Sequence, residues 1–198
     1  MTFSFQSWMR AVWESIMEPT KMAQKAIDLN LPREAFWTAL ALVAVLNVIL
    51  LAALQMLSPA RIAFEQQAFS LSPFAYVAIV GIFLALFVLG TLYTGKFIGG
   101  TGTLAGTLTI VVWFQSISLT LEAIQLVLVL LSPAIASIFG MLSLGALAWC
   151  FVHFINVLHG FNSLGKAAVT GVLALIGTAM VAGLIMAILG LGPAGGFA

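Results

Sequence analysis

Hydrophobic and polar positions follow two different rhythms along this chain. Near the start, Phe5, Trp8, Met9, Val12, Ile16 and Met17 recur at helical spacing, while Gln6, Arg10 and Glu14 fall largely elsewhere. That pattern predicts a short amphipathic helix over Phe5 to Met17. Glu18-Pro19 ends it, and a second short helix, Thr20 to Leu29, carries Met22, Ala26 and Ile27 on one side and Lys21, Lys25 and Asp28 on the other. From Phe36 onward polar positions almost vanish, and five long apolar runs follow, about 36–57, 74–94, 104–131, 134–157 and 167–189. A helix of about 20 apolar residues crosses a hydrocarbon core roughly 30 Å thick, so each run predicts one transmembrane helix. The third run exceeds that minimum, which predicts tilt or a helical end outside the core. The expected fold is all-α and polytopic, five spans behind two amphipathic helices.

The breaks between runs are short and specific. Asn30 and Pro32 mark a new start before the first span, and Phe36 with Trp37 mark its near interface. Ser58-Pro59 stops that span, and Ala60 to Leu71 forms a polar connection with Arg61, Glu65, Gln66 and Gln67. Ser72-Pro73 and Ser132-Pro133 each place a serine N-cap before a proline at the first helical position. Tyr93 and Lys96 close the second span. Then comes GKFIGGTGTLAGT, Gly95 to Thr107, with Gly99, Gly100, Gly102 and Gly106. Gly100, Gly102 and Ala105 fit the spacing of a dinucleotide-binding turn, but that turn needs a preceding strand and an acid about 20 residues on. Here both flanks are membrane-length apolar segments, so the stretch reads as a tight, solvent-facing hairpin between spans two and three. LHGFNSLGK, Leu158 to Lys166, with His159 and Gly160, is the second glycine turn. The organisation is therefore an amphipathic N-terminal segment over 1–34, a five-span membrane domain over 35–191 and a short uncharged tail over 192–198.

Composition agrees with the pattern and excludes several classes of function. Hydrophobic residues make up 63% of the 198 residues and charged ones 7%, against roughly 25% charged in soluble domains. A net charge of +1 offers no basic surface for nucleic acid. Of the 7 lysines and arginines, only Arg61 falls on the side opposite the N-terminal segment, Lys96 and Lys166. By the positive-inside rule the N-terminus and both glycine turns face the cytoplasm and the C-terminus lies outside. No short hydrophobic region with a small-residue cleavage site precedes the first span, so no removable signal peptide is expected.

The few polar residues inside spans are the candidate chemistry. Gln115, Ser118, Glu122 and Gln125 are three and four residues apart and form one stripe. A charged acid at mid-bilayer costs roughly 2.5–3.5 kcal/mol on insertion scales, so this stripe must face protein or a cavity. It is either a proton or cation site or a set of interhelical hydrogen bonds that fix packing. In the fourth span His153 and Asn156 read as interhelical hydrogen-bonding groups, His159 as part of the turn, and the single cysteine, Cys150, as a small buried thiol. A cysteine and a histidine three residues apart fall short of the three or four ligands a zinc site wants. No metal or cofactor is expected, and with no Ser-Gly nucleophile motif, H-E-x-x-H or paired aspartate, neither is an enzyme. The last span carries small-residue stripes, Ala167, Gly171, Ala174, Thr178 and Ala182 on one side and Ala179, Gly183 and Ala187 on another. Such stripes let helices approach closely, within one chain or between copies. The amphipathic first helix has two possible beds, the membrane interface or the protein's own spans.

Three segments resemble the Yip1 family of small polytopic membrane proteins: MEPTKMAQKA (Met17 to Ala26), GGTGTLAGT (Gly99 to Thr107) and WCFVHFINVLHGFNSLGKA (Trp149 to Ala167). The resemblance covers most of the chain. It implies five transmembrane helices with a cytosolic N-terminus. Eukaryotic relatives sit in early secretory membranes and bind prenylated Rab GTPases and other membrane-shaping partners. This chain lacks their Asp-Leu-Tyr-Gly-Pro motif and long hydrophilic N-terminal domain, so it looks like the bacterial branch, in a cytoplasmic (inner) membrane. The expected function is a non-enzymatic membrane-organising scaffold or adaptor whose cytoplasmic face meets the lipid bilayer, a membrane-protein partner or another copy of the chain. The alternative is a small transporter or channel-like protein built on the stripe around Glu122.

Overall fold

The computed structural model describes residues 4–29, 32–57 and 73–188, all in helices and the turns between them, with no strand among the described residues. The expected polar connection with Arg61, Ser58-Pro59, the Ser72 cap, Asn30 and the 192–198 tail lie outside the described residues.

Helix α1 is Phe5–Met17. Ser4 starts it with a reciprocal cap: its Oγ accepts from the Ser7 N–H at 3.2 Å, and the Ser7 Oγ accepts from the Ser4 N–H at 3.1 Å, which satisfies two amide groups that a helix start leaves open. A single residue, Glu18, separates it from α2, Pro19–Asp28, where proline at the first position needs no amide partner. Five long helices follow: α3 Arg33–Leu57, α4 Pro73–Phe97, α5 Leu104–Leu131, α6 Pro133–His159 and α7 Leu164–Ile188. All five are long and apolar enough to cross a membrane.

The long helices close into a compact ring in which α5 packs on α3 and α6, α7 on α6 and α4, and α4 back on α3. Three buried clusters hold the ring. Phe36, Phe87, Val88, Leu108, Phe151, Ile155 and Ala174 join all five long helices near the end that carries the glycine turns. Leu40, Val43, Ala44, Leu84 and Leu119 continue between α3, α4 and α5. The third cluster includes the N-terminal helices: Val12 and Ala23 are buried against Ile110, Ile117 and Leu121 of α5 and Cys150, Phe154 and Leu158 of α6. Most other long-helix side chains face outward, as a bundle solvated by lipid requires.

The bed of α1 is the protein itself. Trp113 Nε1 donates to Ser15 Oγ at 3.1 Å, and Trp8 Nε1 donates to Thr120 Oγ1 at 3.1 Å. These pairs are seven residues apart on both helices but run in opposite directions. Helix α1 therefore runs antiparallel to α5 over about 10 Å, given a rise of 1.5 Å per residue, reaching it through the two tryptophans while its backbone packs nearer α6. It is a strap beside the bundle.

Candidate functional site

Both glycine turns are closed by the same backbone device and then joined by one histidine. After α4, Gly99 takes φ +94°. Its N–H bonds the Lys96 carbonyl at 3.0 Å, and the Gly100 N–H reaches the Gly95 carbonyl at 2.8 Å. After α6, Gly160 takes φ +62°, with its N–H on the Val157 carbonyl at 3.2 Å and the Phe161 N–H on the Asn156 carbonyl at 3.2 Å. Each is a Schellman closure, which needs a left-handed residue that glycine supplies without strain. Helix α4 thus runs through Gly95 to Phe97, and the turn proper begins later than the glycine count suggests.

His159, read from the sequence as part of the second turn, is the last residue of α6 and is buried inside the first. Its carbonyl accepts from the Thr101 N–H at 3.1 Å, and its Nδ1 accepts from the Gly102 N–H at 3.3 Å. The Nδ1 bond places the ring proton on Nε2. Gly95, Gly100 and Gly102 surround the ring so closely that a Cβ at Gly100 or Gly102 would come to 2.6 Å of it, and one at Gly95 would overlap Cε1 and Nε2. Phe161 stacks on the ring, with centroids 5.2 Å apart. Gly106 meets Leu158, where an added Cβ would come to 3.1 Å. The hairpin is accordingly exposed at Lys96, Gly99 and Thr101 and buried on its glycine side. Asn156 ties the other turn, its Oδ1 accepting from the Ser163 N–H at 3.0 Å. Lys166 is exposed one turn beyond.

The N-terminal helices add a second feature at this half of the bundle. Cys150 is fully buried, and its Sγ donates to the Ser15 carbonyl at 3.3 Å. His153 bonds within its own helix, Nδ1 to the Trp149 carbonyl at 2.9 Å, and its ring lies 4.0 Å from the Trp149 ring. Both rings line a wide, shallow groove of about 910 Å³ with Met17 to Lys21, Gln24, Lys25 and Asp28 of the strap. Lys21 pairs there with Glu18 at 2.8 Å. The hydrogen bond and the charge of Glu18 hold the ammonium above its ordinary pKa.

The third feature lies in the other half of the bundle. Ser118 Oγ donates to Glu122 Oε1 at 2.8 Å along α5. Glu122 forms no bond to another span among the described residues; it faces a cavity of about 230 Å³ between α3 and α5 with Asn47, Gln125, Val80 and a wall of leucines. Gln125 also reaches α6, its Nε2 donating to the Ala136 carbonyl at 3.4 Å, and it packs where Gly140 leaves room. Gln115 is half-buried on the same helix and does not line the cavity. The stripe thus divides its work: Gln125 links helices, and Glu122 faces open space.

On α7 the two small-residue stripes part company. Gly171 meets Phe151 and Ile155 of α6, and Ala174 and Thr178 meet Gly90 of α4. Ala179, Gly183 and Ala187 line no such contact, and an added Cβ at Gly183 would touch nothing within 4 Å.

Sequence reasoning misses Ser15, Trp113 and Thr120, which pin the strap, and Asn47, which lines the cavity. Asn47 is detectable as the single asparagine of the first apolar span; the other three look like ordinary helix residues until α1 is laid on α5. Among the described residues no three His, Cys, Asp or Glu side chains converge as metal ligands. The site's chemistry is that of close packing, a polar cavity and an uncovered amphipathic surface.

Comparison with curated proteins and with solved structures returns no match. A family model does match: the Yip1 domain aligns over residues 13–189, from the second half of α1 to just beyond the end of α7. The aligned region includes the second strap helix, both glycine turns with His159 and all five spans. This integral membrane protein, with five membrane-length apolar helices among its described residues, belongs to the Yip1 family.

Proposed function

We propose that the protein is a non-enzymatic membrane-organising scaffold or adaptor whose working surface is the strapped, basic end of the bundle. One observation carries this reading. Helix α1 spends one apolar face on docking, through Trp8, Val12 and Ser15, yet leaves Phe5 80%, Trp13 61% and Met17 55% exposed. Exposed apolar side chains beside a groove with Lys21, Lys25, Trp149 and His153 suit a bilayer interface or a membrane-protein partner. His159 and the Trp113 bond to Ser15 make that end stiff, and a stiff platform binds without the cost of being ordered first. In this reading the basic end faces the cytoplasm of a bacterial cell, following the positive-inside rule.

The test uses Trp13→Glu with Met17→Glu, which changes the uncovered face and leaves the docked face alone. Reconstituted protein is expected to lose its effect on vesicle shape or its co-purified membrane partner, with unchanged thermal stability. Unchanged vesicles and partners in this variant and in a deletion of Met1 to Leu29 would remove the reading.

A second reading, a small transporter or channel-like protein, is favoured by Glu122 facing a cavity rather than a neighbouring helix. It expects a pH-dependent flux in proteoliposomes that Glu122→Gln abolishes. The five candidate spans among the described residues do not divide into two equal inverted repeats, which weighs against it.

A further inference from the structure

We infer that the cavity between α3 and α5 is a binding site for a hydrophobic primary amine, entered sideways from the lipid. The inference does not depend on the scaffold reading. Three polar side chains converge there: an acid with no donor of its own when ionised, and two amides that each have one of their two N–H groups already engaged. Asn47 Nδ2 donates to the Val43 carbonyl at 2.9 Å. Gln125 Nε2 donates to the Ala136 carbonyl at 3.4 Å. Glu122 accepts one hydroxyl, from Ser118. What remains toward a ligand is a carboxylate, two carboxamide oxygens and one N–H of each amide, a set in which acceptors predominate and the one charged group is an anion. Among the described residues no lysine or arginine lines the cavity or pairs with Glu122. An uncompensated acid at this depth is costly, and an ammonium group with several N–H donors matches both its charge and its empty acceptors.

The rest of the lining sets the second half of the ligand. Val48, Leu50, Leu51, Leu54, Val80 and Leu126 form an aliphatic wall, which suits a short hydrocarbon chain and offers a hydrated inorganic cation nothing. A phosphate or carboxylate ligand is disfavoured because the lining presents a carboxylate and no cationic donor. Glu122 stands about two and a half turns from the Leu131 end of α5 and five turns from the Leu104 end. The site is therefore within the apolar part of the bundle, away from the glycine turns, and reachable from the bilayer.

The experiment measures octylammonium binding to the full-length protein in lipid nanodiscs by titration calorimetry, with empty nanodiscs as the partitioning control. Saturable binding is expected, weakened at least tenfold by Glu122→Gln and also lost in Leu51→Trp, which fills the cavity without touching the acid. Octyltrimethylammonium, which has the charge and chain but no N–H, is expected to bind several-fold more weakly, and sodium or potassium chloride is expected not to compete beyond screening. Partitioning equal to that of empty nanodiscs would overturn the proposal. So would binding unchanged in Glu122→Gln or Leu51→Trp, or full competition by potassium, which would mark an inorganic cation site. Binding seen only in Arg61→Gln would overturn it as well, by assigning the carboxylate to the chain's own arginine.

Discussion

The two halves of the bundle use the same residues for opposite purposes. At the end with the turns, Gly95, Gly100 and Gly102 leave room for one imidazole and nothing else, and Gly90 and Gly171 let α4 and α6 approach α7. In the other half Gly140 makes room for Gln125, but Gly81, Gly145, Gly177 and Gly183 have nothing within 4 Å of where a Cβ would stand. Polar groups divide likewise. Asn156, Thr101 and Ser15 are engaged across elements, whereas in the other half, among the described residues, Gln125 alone of the stripe reaches a second helix and Glu122 bonds within its own helix and looks into a cavity. A glycine or a buried polar residue therefore has no fixed meaning in a membrane bundle. What faces it decides whether it is a close contact, a cap or an opening.

The largest effect that would break this comparison is at the turns. Gly95→Ala and Gly102→Ala force an extra carbon against His159 and are each expected to destabilise the protein by about 1–3 kcal/mol, read as a lower thermal midpoint in detergent. Trp8→Ala comes next. It removes a half-buried ring and its bond to Thr120, and about 2 kcal/mol is expected, below the range for fully buried tryptophan; protease cleavage within Met1 to Leu29 should rise with it. Gly183→Ala is expected to have the opposite sign, stabilising by about 0.5–1 kcal/mol because alanine is the better helix former and space is open. A loss of stability there would show that another copy of the chain packs on this stripe. The smallest effect is Glu122→Gln, expected to be neutral or to stabilise by up to about 0.5 kcal/mol, since the change removes an acid unpaired among the described residues while the Ser118 bond survives. A drop of several kcal/mol would mean that the acid holds the fold together rather than facing a ligand.

Several of these features are legible in the sequence alone. The strap helix over Phe5 to Met17 follows from its helical spacing, and the span beginning at Leu104 from its apolar length. Close packing of Gly171, Ala174 and Thr178 follows from their spacing, but the matching stripe at Ala179 and Gly183 has the same spacing and no such close contact in this chain. His159 reads as a turn residue because a histidine beside glycine normally is one. Its burial depends on Gly95 to Gly102, nearly sixty residues earlier, arriving at the same place. Asn47 and Glu122 lie on different helices, and only the packing of α3 on α5 makes them one site.

By itself the sequence determined the class of the molecule: five apolar helices, an amphipathic leader and a basic end, because length and hydrophobicity are properties of single segments and the bilayer reads them one at a time. Only the tertiary structure decided that one face of α1 docks on α5 and α6, that one histidine joins two distant turns, and that Glu122 opens onto a cavity. Those outcomes depend on which faces of different helices meet. In a bundle whose faces are almost uniformly apolar, shape and a few hydrogen bonds decide that, and neither is written in any one segment.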